Sequence, residues 1–160
     1  MTTATATDFD SLAQSHWSEN ENGNARRVHR FLELLMNDHD FDGVRREFGG
    51  SPYTQHNRTM RDGLDGVLEA VGGIVKRFPE YSYDIRQIVA SGDRVIVFSH
   101  ATMRASHRGD DTKGFIIFDM WRVEDAVLVE HWDSLQALDL PMRMLMTASG
   151  GRVRNDNGPF

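Results

Sequence analysis

The spacing of apolar residues changes period once along the chain, at Phe78-Pro79. Before that point Val28, Phe31, Leu32 and Leu35 recur every three or four residues, as do Leu64, Val67, Leu68, Val71 and Val75. This spacing marks helices with one apolar stripe. After it the segment 81–89 alternates, Ser91-Gly92-Asp93 forms a turn, and strands are predicted over 94–103, 113–123 and 127–133. Proline cannot continue a helix, so the change of period is also a physical break. Helices first and an antiparallel meander last predict an α+β fold, with the helices packed on one face of the sheet.

The helical half divides further. Asn24 is a plausible N-cap for a first helix that ends near Asn37, and a second runs over 41–48 until Gly49-Gly50. Ser51-Pro52 then turns the chain into a short extended piece, Tyr53-Thr54-Gln55-His56-Asn57. A third helix follows Asp62-Gly63, and a terminal helix is predicted over 138–146. Residues 1–23 are expected as a loose lead-in, 24–148 as a single domain and 149–160 as a flexible tail. A chain of 160 residues can bury a core without cross-links.

The final strands carry apolar residues on both faces. Phe115, Ile117, Trp121, Val127 and Val129 are assigned to one face; Ile116, Phe118, Met120, Leu128 and Trp132 to the other. Helices cover one face, so a second copy of the chain is expected on the other. The result would be a homodimer through the face carrying Trp132. The formal net charge is −6 and the arginines are scattered, which argues against a nucleic-acid partner. No apolar run approaches the ~20 residues that span a bilayer. The start of the chain lacks a basic-then-apolar leader pattern, so no membrane partner and a cytoplasmic location are the default expectations. There is no cysteine, hence no disulfide framework and no thiolate chemistry.

His131 and Asp133 share a strand face. A three-residue turn, Glu124-Asp125-Ala126, would pair Val123 with Val127 and set Asp119 opposite His131 and Ile117 opposite Asp133. Ala126 would then hold a strained left-handed position. A two-residue turn would send Asp119 to the other face. Two carboxylates beside a histidine, walled by Trp and Ile, suit proton transfer next to a carbonyl. Asp133, His131 and Asp119 are therefore the candidate catalytic residues. Tyr53, His56, Asn57, His100 and Trp121 are the candidate substrate-binding residues. The competing explanation is that buried Asp and His simply satisfy each other. Only His131-Asp133 has short ligand spacing, so no metal is expected.

In this order Tyr53-Thr54-Gln55-His56-Asn57, Asp62-Gly63, Gly92-Asp93 and Val129-Glu130-His131-Trp132-Asp133 with Gln136 resemble the SnoaL-like branch of the nuclear transport factor two-like superfamily. The likeness covers about 24–137. It implies a cone of curved sheet around a pocket closed by helices, usually dimeric. It also implies the intramolecular aldol condensation of the family's polyketide cyclases, without metal or cofactor. The acid/base aspartate of those cyclases corresponds to Asp133; a histidine on their preceding strand corresponds to Asp119 here. The expected function is a cofactor-independent acid/base enzyme, of aldol cyclase, isomerase or lyase type, on a small and mostly apolar carbonyl compound. An epoxide-hydrolase-like enzyme and a non-catalytic ligand-binding or dimerisation module are the alternatives.

Overall fold

The computed structural model describes residues 8–149 and 154–157. Its helices are α1 (Phe9–Leu12), α2 (Glu19–Leu32), α3 (Phe41–Phe48), α4 (Gly63–Arg77) and α5 (Leu140–Ser149). Its strands are β1 (Thr54–Gln55), β2 (Ser82–Ser91), β3 (Arg94–Thr102), β4 (Phe115–Glu124) and β5 (Val127–Ala137). A π-helical turn over Glu33–Asn37 prolongs α2. One sheet has the strand order β1-β5-β4-β3-β2. Strands β2 to β5 form the expected antiparallel meander, and β1 adds in parallel beside β5. The fold is α+β, a curled five-stranded sheet with helices against one face.

The first long helix begins earlier than Asn24. Ser18 caps it: its hydroxyl accepts the Glu21 N–H, and the Glu21 carboxylate accepts the Ser18 N–H. This reciprocal capping box satisfies two groups that a helix start leaves bare. Asn24 is instead buried, donating its amide to Gly92 O, while Glu21 takes the Gly92 N–H. Glu21, within the expected lead-in, thus grips the β2–β3 turn, and Phe9 and Leu12 of the same segment dock in the core. Residues 1–7 of that lead-in lie outside the described residues. Within the expected tail, Arg154–Asn157 is hydrogen-bonded to the stretch 55–60. Residues 150–153 and 158–160 are outside the described residues.

The turn between β4 and β5 corrects the expected register. Only Asp125 and Ala126 form it, with φ of 48° and 63°, and Glu124 pairs with Val127. Two positive φ angles match the twist of the flanking strands, which is why two-residue hairpins favour them. Ala126 does carry the left-handed strain, and Arg27 Nε donates to its carbonyl at 3.2 Å. Val123 pairs with Leu128 and Arg122 with Glu130, so Val129 bulges out of the ladder. The shorter turn and the bulge each shift parity by one. Asp119 therefore stays on the His131 face but sits opposite Asp133, while Trp121 faces His131. Leu128, expected outside, is buried against Val123.

The inner face of the sheet carries Val95, Val97, Ser99 and Ala101 from β3 and Phe115, Ile117, Asp119, Trp121 and Val123 from β4, all buried. Phe31 of α2 meets Trp121 edge-on, ring centres 6.0 Å apart. The outer face keeps Val89, Ile96 and Phe118 at 46%, 37% and 51% exposure. Among the described residues no helix is long and apolar enough to cross a membrane.

Candidate functional site

Parallel pairing puts Thr54 beside Glu130 and Gln55 beside His131. Strand alternation then divides the 53–57 segment. Tyr53, Gln55 and Asn57 reach the inner side; Thr54 and His56 do not. His56 is the first candidate that the structure removes from the cluster. Its ring stacks on Trp132 on the outer face, 4.5 Å between centres, and its Nε2 meets Glu130 Oε1 at 3.0 Å. His100 is the second. It shares the outer row with Phe98, and its Nε2 lies 2.6 Å from Lys113 O in the loop that covers it. A one-residue change of position along a strand changes the face, so neither histidine can meet His131.

The other candidates converge. Tyr53 is buried, and its hydroxyl accepts the indole N–H of Trp121 at 3.2 Å. Trp121, 1% exposed, stacks on the His131 ring at 4.6 Å. The backbone N–H of Asn57 donates to Gln55 Oε1 at 2.8 Å. His131 Nδ1 lies 3.0 Å from the Gln55 amide nitrogen and 3.2 Å from Oε1; with Oε1 already accepting from Asn57, the NH2 is the better partner for Nδ1. His131 then carries its proton on Nε2, which meets Asp119 Oδ1 at 3.0 Å. The chain of donors ends on Asp119, whose second oxygen, Oδ2, is buried without a hydrogen-bond partner.

Asp133 lies across from Asp119 on the neighbouring strand and is only half-buried. Both of its oxygens are 2.8 Å from Asn57 Nδ2. The Asn57 side-chain oxygen is held by the backbone N–H and hydroxyl of Thr59, at 3.0 and 2.6 Å, so the amide is fixed in orientation. Burial pushes the Asp119 carboxyl above the usual carboxylate range; the His131 hydrogen bond offsets part of this and the Asp133 charge adds to it. Burial likewise pushes the phenols of Tyr53, Tyr81 and Tyr83 up, and each also feels Asp119. These tyrosines stay neutral donors over the physiological range.

Gln55 was not singled out as a site residue from the sequence. The signal for Gln55 was the alternation Tyr53, Gln55, Asn57 within the extended piece. Cavities of about 280 and 290 Å³ lie elsewhere, one between the 59–61 loop and α4, the other beside His100 and Arg108. Neither borders Asp119, His131 or Asp133.

Among the described residues, Asp119, His131 and Asp133 offer three ligand atoms within 4.8 Å of one another. A cation there would compete with Asp119 for His131 Nε2 and with Asn57 for Asp133. Asp119 Oδ2 is the one of these oxygens that has no bond to give up.

The raised Asp119 carboxyl has a stability consequence. A carboxyl whose folded value lies above its unfolded one, ordinarily near 3.9, favours folding below that unfolded value. The contribution is lost as pH rises through the raised folded value. Asp119→Asn keeps an acceptor for His131 but cannot ionise. The variant is therefore expected to gain stability relative to the parent chain as pH rises from about 4 to 8, by about 1.4 kcal/mol per unit of displacement. Urea unfolding across that range measures it.

A family model for SnoaL-like polyketide cyclase matches residues 26–142. The chain belongs to the SnoaL-like polyketide cyclase family. Solved structures agree on the fold. A Bacillus cereus ATCC 10987 protein assigned as a polyketide cyclase is 18% identical, with TM-score 0.63, covering 86% of this chain and 87% of that one. A loop-truncation variant of IdmH is 21% identical, with TM-score 0.59 and coverage of 80% and 99%. TsrD from Streptomyces laurentii is 17% identical, with TM-score 0.60 and coverage of 84% and 98%. No curated protein matches the chain in sequence. Within the SnoaL-like match lie every member of the inner cluster, from Tyr53 to Asp133.

Proposed function

We propose that the chain is a cofactor-independent acid/base enzyme that closes a ring in a small, mostly apolar carbonyl compound by intramolecular aldol addition. The observation that carries this is the Asp119–Asp133 pair, two facing carboxyls in unlike surroundings. Such a pair divides naturally into an acid and a base. Asp133, the more accessible, removes a proton from the carbon next to a carbonyl. The enolate carbon then bonds to a second carbonyl carbon of the same molecule. The oxygen of that carbonyl takes a proton delivered from Asp119 Oδ2. One proton leaves the substrate for Asp133 and one returns from Asp119, so the product is an isomer of the substrate; exchange with water then takes the proton from Asp133 and restores one to Asp119 before the next turnover. His131 holds Asp119 in place through Nε2–H, and Asn57 fixes the Asp133 carboxylate. The solved relatives named for polyketide cyclisation fit this substrate class. Turnover of a panel of polycarbonyl compounds by the parent chain and by Asp133→Asn is the test. Equal turnover by the two sinks the assignment.

A second function, ligand binding without catalysis, has one observation behind it. Both nitrogens of His131 and both oxygens of Asp133 are engaged by protein groups. Only the Asp119 oxygen distinguishes the cluster from a satisfied core network. A panel that binds but is never converted would favour it.

We also propose a homodimer through the outer sheet face. Val89, Ile96 and Phe118 stand exposed there, and Phe98 stacks on Phe118 at 4.6 Å. An apolar patch of this kind marks an association surface. Phe118→Glu is expected to weaken the dimer at least about 100-fold, because a buried unpaired charge costs several kcal/mol. Light scattering over a dilution series reads the change. A parent chain that is monomeric at all concentrations rejects the proposal.

A further inference from the structure

The segment Arg154–Asn157 lies beyond the family match, which ends at residue 142. It holds no apolar residue, so its place depends on directional bonds. Those bonds all fall on one stretch of chain, 55–62. Asn155, buried, donates its amide to Asn57 O and Met60 O at 3.0 Å each. Asn157 donates to Gln55 O and Asp62 Oδ1 at 2.8 Å each. The Arg154 N–H donates to Arg58 O at 2.8 Å. The two asparagines are locked together, the Asn157 N–H donating to Asn155 Oδ1 at 3.1 Å.

This stretch carries both arms of the site: Gln55 orients His131, and Asn57 clamps Asp133. Its own anchorage is slight, because β1 is two residues long and pairs only with β5. A short strand leaves most backbone groups of the following loop without ladder partners. The bonds from 154–157 supply donors to the Gln55, Asn57, Arg58 and Met60 carbonyls. Asp62 Oδ1 joins the two ends, accepting both the Gln55 N–H and the Asn157 amide.

We infer that Arg154–Asn157 is a positioning strap for the candidate active site, with Asn155 and Asn157 holding Gln55 and Asn57 in register with His131 and Asp133. The inference rests on the acid/base role proposed for that cluster, but its geometry can be tested without any substrate. Two full-length variants serve: Asn155→Asp, which keeps the shape and the Oδ1 acceptor while removing both donated bonds, and Asn157→Ala. Amide hydrogen exchange and the Asn57 side-chain amide resonances, followed through an acid titration, are the readouts. Exchange at Gln55, Asn57 and Thr59 is expected to rise about tenfold or more in each variant, with the amides of β4 unchanged. The Asn57 side-chain amide is expected to lose its response to Asp133 protonation, which a merely stabilising contact would not produce. If turnover has been found, kcat falls about 10- to 100-fold, the scale of a small misplacement. Exchange and side-chain shifts matching the parent chain in either folded variant overturn the strap. So does an exchange increase spread evenly over the whole sheet. A failure of the acid/base role, seen as full activity in Asp133→Asn, leaves these exchange and resonance results standing.

Discussion

Asp133→Asn is expected to lower kcat about 10²- to 10⁴-fold, the range supplied by one general acid or base. The substitution retains size and one acceptor oxygen. Asn57 therefore keeps one of its two short contacts, and the half-buried position loses little else. The expected cost in stability is about 1 kcal/mol, or about 2–4 °C in Tm for a chain of this size. Loss of activity without loss of fold separates a base from a packing residue. An equal fall in kcat and kcat/KM would show that the missing interaction belongs to the transition state. A rise in KM at constant kcat would instead make Asp133 a binding group and leave the proton abstraction unassigned.

Trp121→Ala should have the largest effect on folding. The indole is 1% exposed, lies edge-on to Phe31, stacks on His131 and donates to Tyr53. Its removal opens a cavity under the sheet and leaves the Tyr53 hydroxyl short of a partner. Large-to-small core changes of this kind cost about 3–5 kcal/mol. For a domain of this length that is a fall of roughly 10 °C or more in Tm. Trp121→Phe retains much of the stack and loses one hydrogen bond, so a loss of about 1–2 kcal/mol is expected. Urea unfolding of the two variants gives both numbers. A Trp121→Ala protein as stable as the parent would mean that the site can collapse around the gap.

The two effects are linked through His131. Trp121 supports its ring, Gln55 pairs with its Nδ1, and Asp119 accepts the hydrogen bond from its Nε2–H. A loss at Trp121 should therefore disturb the acid/base pair even in molecules that remain folded. The reverse does not hold, because Asp133 sits at the more open edge of the cluster and contributes little to the core.

The order of elements was legible because it depends on local period. The helix at about 41–48 was legible, since Gly49-Gly50 ends it. The final two strands were also legible, and with them the shared face of His131 and Asp133. Asn24 misled because asparagine caps helices, but here its amide is spent on Gly92 O, sixty-eight residues away in sequence. His56 misled because histidine carries the stronger chemical signal. Alternation gave the inner position to Gln55, a residue type with no titratable group. His100 misled for the same reason.

What the sequence determined by itself was the α+β class, the placement of helices before a meander, and the shared strand face that holds His131 and Asp133. These follow from the spacing of apolar residues, a property each segment carries alone. Only the tertiary structure decided which residue faces Asp119. A two-residue turn and the bulge at Val129 each moved the register by one, and neither leaves a mark on local period. The tertiary structure alone also brought Asn155 and Asn157 to the loop after β1, nearly a hundred residues earlier in the chain. Contacts at that separation depend on how whole elements pack, so no short window of sequence could contain them.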